Sequence, residues 1–285
     1  MRECPGPPGA PTVLLIHGLA ASADVNWFGV FGPLQQHFRV VALDLRGHGR
    51  GSNPGLWFRL EDCADDVAAL AEVLAIETLI AVGYSMGGLV GQLLWRRHRP
   101  LMSGLVLCST ARNFRGSLTE RVTSMVLPSF EAAVRLTPAL YGMSANLMGA
   151  NLFGHVGDES LRRWARSEFG RARLPSTISA ARAVAGFSSH DWIGQVDVPT
   201  AVLITTQDQI VPPSRQYKLA RAIPAAMTFE LDADHGVCLQ DPDRFAPVLV
   251  EACRAVTTAT ADRHQAGDRW AQRTTALRPA LPTAR

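Results

Sequence analysis

The segment Thr78-Leu79-Ile80-Ala81-Val82-Gly83-Tyr84-Ser85-Met86-Gly87-Gly88 carries an unbroken apolar run into a serine with glycines two residues to either side, and a helical pattern follows over 89–97. A short apolar run bounded by glycine reads as a buried strand, and the periodic segment after it as the helix that returns across a sheet. Gly83 and Gly87 permit a sharp turn between the two, because a side chain at either position would crowd a serine backbone held in a strained conformation. The turn lifts the Ser85 hydroxyl clear of the sheet. It also leaves the Met86 N–H at a helix N-terminus, aimed at negative charge developing beside the serine. A serine so placed is a candidate for forming an acyl-enzyme.

The same alternation extends in both directions. Apolar runs at 12–16, 39–43, 78–82, 104–107, 200–204 and 227–231 read as strands, each nearly unbroken, as expected where both faces of a sheet are covered. Helical patterns at 60–75, 89–98, 213–222 and 242–256 lie between or after them. Strand and helix in alternation predict one α/β domain over 11–256, built on a mostly parallel central sheet of about six strands flanked by helices. The ten or so Pro- and Gly-rich residues before Pro11 contribute no strand to this reading.

Composition narrows the function classes. With 285 residues and 47% apolar content, the chain can bury a sizeable core, which argues against a disordered binder. The net charge of +3 sits wholly in residues 257–285, where five arginines stand against two aspartates. The body is neutral, so no nucleic-acid partner is expected. That polar segment, rich in Arg and Thr with Pro279 and Pro282, reads as a disordered basic tail. Five scattered cysteines without a C-x-x-C pair read as reduced thiols, with no metal site and a cytoplasmic location. No run approaches the roughly 20 apolar residues of a membrane span, and the N-terminus lacks the apolar core of a signal peptide.

Residues 111–198 form the longest interval without a sheet strand. The interval is apolar, with Met125, Met143 and Met148 among its residues, and prolines at 128, 138 and 175 break it into short helices. It reads as a helical insertion that packs on itself and serves as a mobile lid, its methionines lining a substrate pocket.

Five motifs then fall in order. His17-Gly18 follows the first run, Asp44-Leu45-Arg46-Gly47-His48-Gly49-Arg50-Gly51-Ser52 the second, and Gly83-Tyr84-Ser85-Met86-Gly87-Gly88 the third. Asp208 follows the run at 200–204, and Asp234-His235-Gly236 the last. In this order they resemble the α/β-hydrolase superfamily, in its lid-bearing branch of small serine esterases and lactonases, where the serine turn is the nucleophile elbow. The resemblance implies an α/β-hydrolase fold and a carboxylesterase- or lipase-like enzyme without cofactor, acting on a small-molecule ester or lipid-like substrate with a hydrophobic acyl group.

Chemistry supports each role. A serine hydroxyl needs a base, and of eight histidines only His235 follows the last strand, beside Gly236, where a loop can reach over the carboxyl edge of the sheet. Asp208 fits the acid that orients His235. Cys108-Ser109-Thr110, where some relatives carry the acid, offers no carboxylate, and Asp232 and Asp234 fit loop hydrogen bonding. The oxyanion hole is assigned to the backbone N–H groups of Met86 and of Leu19, after His17-Gly18. His17, Arg46 and His48 read as braces of the site, and Trp27 suits either a pocket wall or the core. The same constellation also serves lactone hydrolysis, carbon–carbon bond hydrolysis and cofactor-free perhydrolysis, or a non-catalytic relative that binds a small ligand.

Overall fold

The computed structural model describes residues 1–53, 57–114, 158–169 and 174–276. Seven strands, β1 (Arg2–Cys4), β2 (Thr12–Ile16), β3 (Arg39–Leu43), β4 (Leu79–Tyr84), β5 (Met102–Cys108), β6 (Thr200–Thr205) and β7 (Met227–Leu231), form a sheet in the order β1-β3-β2-β4-β5-β6-β7. β1 pairs antiparallel with β3, and every other pairing is parallel. The described helices are α1 (Ala23–Trp27), α2 (Phe31–Gln35), α3 (Leu60–Val73), α4 (Met86–Arg97), α5 (Glu159–Phe169), α6 (Leu174–Gly186), α7 (Pro213–Ala222), α8 (Val237–Gln240) and α9 (Pro242–Ala276).

Side chains alternate across the strands, so each continuous apolar run feeds two cores. Val13, Leu15, Val40, Ala42, Ile80, Val82, Val106 and Leu203 pack with Trp27, Leu34, Phe245, Leu249 and Val256, from α1, α2 and α9. On the opposite face, Leu14, Ile16, Val41, Ala81, Leu105, Val202 and Ile204 meet Val67, Leu89, Val90, Leu94 and Leu219, from α3, α4 and α7. β4 is buried along its whole length, at the centre of the sheet. Burying one such Val, Leu or Ile side chain contributes about 1.5–3 kcal/mol. The edge strand β7 departs from the expected unbroken burial: Thr228 and Glu230 are exposed, because an edge strand here is covered on one face.

The expectation of about six strands misses β1. Its sequence Arg-Glu-Cys has no apolar pattern. It is held by the pairing Arg2↔Ala42 to Cys4↔Val40, with Arg2 on Asp24 at 2.6 Å and Arg39 on Glu3 at 2.7 Å. The tail is also corrected. α9 continues from Val256 to Ala276 instead of giving way to disorder, and Thr260 Oγ1 donates to the Ser103 carbonyl at 2.9 Å while the Arg263 guanidinium donates to the Asp197 carbonyl. No proline lies between Pro247 and Pro279, so no ring removes a helical hydrogen bond over that stretch. Residues 277–285 lie outside the described residues.

Between β5 and β6 the described residues include the helices α5 and α6. α5 packs Trp164 edge-on against Phe28, ring centroids 5.5 Å apart, and its buried Glu168 receives two hydrogen bonds from Arg50, both 3.1 Å. α6 meets the body through Ser179 Oγ, which accepts from the Phe58 N–H at 3.2 Å. Met125, Met143 and Met148 lie outside the described residues. No described helix is long and apolar enough to cross a membrane.

The packing of α4 under β2 allows a direct check. A β-carbon on Gly87 would run into the carbonyl oxygens of Ile16 and His17, both backbone atoms that cannot swing aside. Gly87→Ala is expected to destabilise the protein by about 1–3 kcal/mol or more, read as a lower denaturant midpoint at unchanged m-value. Gly32→Ala, whose added carbon meets nothing within 4 Å, should cost less than about 0.5 kcal/mol.

Candidate active site

Ser85 sits between β4 and α4 with φ 52° and ψ −115°, a region that side chains rarely adopt and that costs on the order of 1–3 kcal/mol. Neighbouring groups hold it there. Its N–H donates to the Cys108 carbonyl at 2.9 Å, and its carbonyl accepts from Thr110 Oγ1 at 2.7 Å and from the Gly88 N–H at 3.0 Å. Glycine is required around it because a β-carbon on Gly83 would collide with the Gly87 carbonyl, and one on Gly88 with the Thr110 side chain. The hydroxyl therefore projects from the carboxyl edge of the sheet.

His235 and Asp208 arrive at the same edge from the loops after β7 and β6. His235 Nε2 lies 3.0 Å from Ser85 Oγ, and Nδ1 lies 2.7 Å from Asp208 Oδ2. With Asp208 accepting at Nδ1, the neutral imidazole presents Nε2 as the acceptor for the serine proton. The Asp208 carboxylate is wholly buried and fully occupied: Oδ2 also accepts from Thr205 Oγ1 at 2.8 Å and Gln216 Nε2 at 3.1 Å, and Oδ1 from the N–H groups of Ile210 and Val211 at 2.9 and 2.8 Å. Its oxygens thus meet five donors, which satisfies the hydrogen-bonding capacity of a carboxyl group taken out of water. Gln216, on α7, also donates to the Val211 carbonyl at 2.7 Å, which fixes the loop that carries the acid.

The acid and base loops are joined to each other. The Gln207 N–H donates to the Ala233 carbonyl at 3.0 Å, and Asp232 accepts from Thr206 Oγ1 and Gln207 Nε2 at 3.0 and 2.7 Å. Asp234 Oδ1 accepts from the Gly236 N–H at 2.7 Å, so both aspartates beside His235 bind the loop, as their positions suggested. Tyr84, next to the serine, donates its hydroxyl to the His235 carbonyl at 2.8 Å, and burial raises that phenol well above its ordinary range.

A cleft opens over these groups, lined by Leu19, Ala20, Val25, Asn26, Cys238 and Leu239 around Ser85 and His235. Among the described residues, the N–H groups of Leu19 and Met86 have no hydrogen-bond partner. The Gly18 N–H is taken, donating to Asn26 Oδ1 at 2.8 Å. Burial pushes the Cys238 thiol up to about 12, so this cleft cysteine is not a thiolate near neutral pH. No cluster of side chains suited to a metal ion occurs among the described residues.

Trp27 corrects the pocket reading. It is fully buried, stacked on Phe245 at 6.3 Å and edge-on to Tyr84 at 6.0 Å, because its bulk fills the core beneath α1. The bracing residues are where the motifs suggested. His17 Nε2 accepts from the Leu45 N–H at 2.9 Å, and its Nδ1 donates to the Gly18 carbonyl at 2.7 Å. Asp44 ties two loops together, accepting from the N–H groups of Ala23 and Arg50 at 2.7 and 2.8 Å, and Arg46 reaches Asp62 and Asp66 on α3. Sequence reasoning missed Asn26, Thr110, Thr205 and Gln216. These are ordinary polar residues whose importance lies in what they touch.

The model of the alpha/beta hydrolase fold matches residues 11–242. The chain is 30% identical over 254 residues to a Rhizobium rhizogenes protein assigned as the carbamate hydrolase RutD, covering 87% of this chain and 94% of that one. Among solved structures it is similar to a thermophilic esterase from Thermogutta terrifontis, at 27% identity and TM-score 0.73 over 90% of this chain and 92% of the other. It is also similar to the enol-lactonase from Burkholderia xenovorans, at 26% identity and TM-score 0.69 over 89% and 95%.

The two buried histidines below the loops give a pH signature. Burial and the neighbouring His17 lower His48 to about 3, and burial lowers His17 as well. The unfolded chain takes up a proton near the ordinary 6.5, where folded His48 does not. Stability is therefore full above about 6.5 and lost as the pH falls toward 3. Denaturant midpoints should drop steadily between pH 7 and pH 4, and His48→Leu should flatten that slope.

Proposed function

This chain belongs to the alpha/beta hydrolase fold family, and we propose that within it the chain is a serine hydrolase that cleaves a carboxylic ester with a hydrophobic acyl group. The observation that carries the reading is the continuous relay from Ser85 Oγ through His235 to Asp208, at 3.0 and 2.7 Å. Ser85 attacks the ester carbonyl carbon while His235 Nε2 takes the hydroxyl proton, and Asp208 stabilises the imidazolium that results. The tetrahedral oxyanion lies against the Leu19 and Met86 N–H groups. Its collapse expels the alcohol, which leaves with the proton from His235. Water then attacks the acyl-enzyme by the same route and regenerates the serine.

The apolar lining of the cleft supports a hydrophobic acyl group over a charged one. The helices between β5 and β6 are the lid of a hydrolase domain over 11–256 in this reading, with Arg50–Glu168 as one of its anchors. Lactone or carbamate cleavage is the second reading, favoured by the likeness to a lactonase and to a protein assigned as a carbamate hydrolase. Both use the same serine.

Turnover of p-nitrophenyl butyrate should fall by at least about 10³-fold in Ser85→Ala and in His235→Ala, and both should lose labelling by a fluorophosphonate probe. Full turnover in Ser85→Ala would sink the mechanism, and a wild-type protein that neither turns over nor labels would point to a ligand-binding role. A parallel screen of acyl esters of graded length, lactones, carbamates and diketones ranks the substrate classes.

A further inference from the structure

Asn26 divides its amide between two situations. Its Oδ1 accepts from the Gly18 N–H at 2.8 Å across eight residues of chain, while its Nδ2 is buried without a partner among the described residues. An asparagine serving stability alone would place both halves in hydrogen bonds, because a buried unpaired donor is unfavourable. Asn26 is 3% exposed and borders the cleft with Ser85 and His235. A β-carbon on Gly18 would lie 3.4 Å from Ser85 Cβ and 3.5 Å from Asn26 Oδ1, so serine and amide flank the same glycine.

The asparagine is held firmly. It lies on α1, where its N–H donates to the Ser22 carbonyl at 3.0 Å and Ser22 Oγ caps the Val25 N–H at 3.2 Å. The next residue, Trp27, is anchored in the core. The loop from His17 to Ala21 has small or apolar side chains after His17, whose Nδ1 holds the Gly18 carbonyl at 2.7 Å while the Gly18 N–H is left to Asn26, and Ala20 adopts φ 60°. Two consecutive amides, those of Gly18 and Leu19, face the choice of which one serves the reaction.

We propose that Asn26 is the positioning residue of the oxyanion hole: by engaging the Gly18 N–H it removes that donor from the reaction and fixes the loop so that the Leu19 N–H faces the oxyanion formed on Ser85. This rests on the serine-hydrolase reading. Asn26 acts through the backbone and touches neither the acyl nor the alcohol group. Its effect belongs to the transition state, where the oxyanion exists, and not to ground-state binding.

The test uses butylboronic acid, whose boron accepts an electron pair from Ser85 Oγ while the hydroxyl proton passes to His235, giving a tetrahedral adduct with an oxygen in the hole. In Asn26→Ala, kcat for p-nitrophenyl butyrate should fall about 10- to 100-fold with KM within threefold, and the boronate Kd should rise in parallel. An unchanged kcat and Kd overturns the proposal. Amide hydrogen exchange on the wild-type protein decides the matter even where the variant folds poorly. The Gly18 amide should be protected in the free protein, and the Leu19 amide should gain protection only in the boronate adduct. A rapidly exchanging Gly18 amide, or a Leu19 amide indifferent to the adduct, also overturns it. If the wild-type protein fails to bind the boronate at all, the serine-hydrolase reading falls and this proposal with it; binding that is equal in wild type and variant removes only the role of Asn26.

Discussion

Gly87 at the start of α4 lies so close to the carbonyl oxygens of Ile16 and His17 that no β-carbon fits between them, and the geometry of the carboxyl edge follows from this approach. Because α4 comes that near to β2, the chain must reverse from β4 within a single residue. Ser85 is that residue, at φ 52°. The same approach brings the end of β2, with Gly18 and Leu19, alongside the serine. One steric constraint therefore positions both the Ser85 hydroxyl and the Gly18–Leu19 loop beside it. The strain at Ser85 is offset by hydrogen bonds from Thr110 and to Cys108, and by the burial of β4 on both faces.

A different principle assembles the acid and base. Their loops have no close-packed strands to fix them, so hydrogen bonds do the positioning: five donors converge on Asp208, the Gln207–Ala233 bond joins the two loops, and Tyr84 holds the His235 carbonyl. In a buried setting each of these bonds is stronger than in water and costlier to leave unmade. The imidazole is consequently held between the Asp208 carboxylate and the Ser85 hydroxyl.

Much of the fold was legible because its signals are local. The glycines of Gly83-Tyr84-Ser85-Met86-Gly87-Gly88 and the apolar runs of β2 to β6 follow directly from steric and burial requirements on neighbouring residues. β1 was invisible for the converse reason: Arg2, Glu3 and Cys4 become a strand only by pairing with β3 and by ion pairs to Asp24 and Arg39. The end of α9 was misread because a polar, alanine- and threonine-containing segment suits either a solvated chain or a helix, and its contacts with Ser103 and Asp197 decide between them. Trp27 had two available environments, and packing against Tyr84 and Phe245 places it in the core.

By itself, the sequence determined the strand–helix alternation, the serine turn and the candidates for nucleophile, base and acid, since these depend on residue type, spacing and chain order. Only the tertiary structure decided that Ser85, His235 and Asp208, separated by up to 150 residues, lie within 3.0 Å of their partners. It alone also revealed that Thr205 and Gln216 surround the carboxylate and that Asn26 takes the Gly18 amide. The physical reason is that a hydrogen bond depends on distance and direction in space, which polar residues such as Asn, Gln and Thr do not encode in their own neighbourhood of the chain.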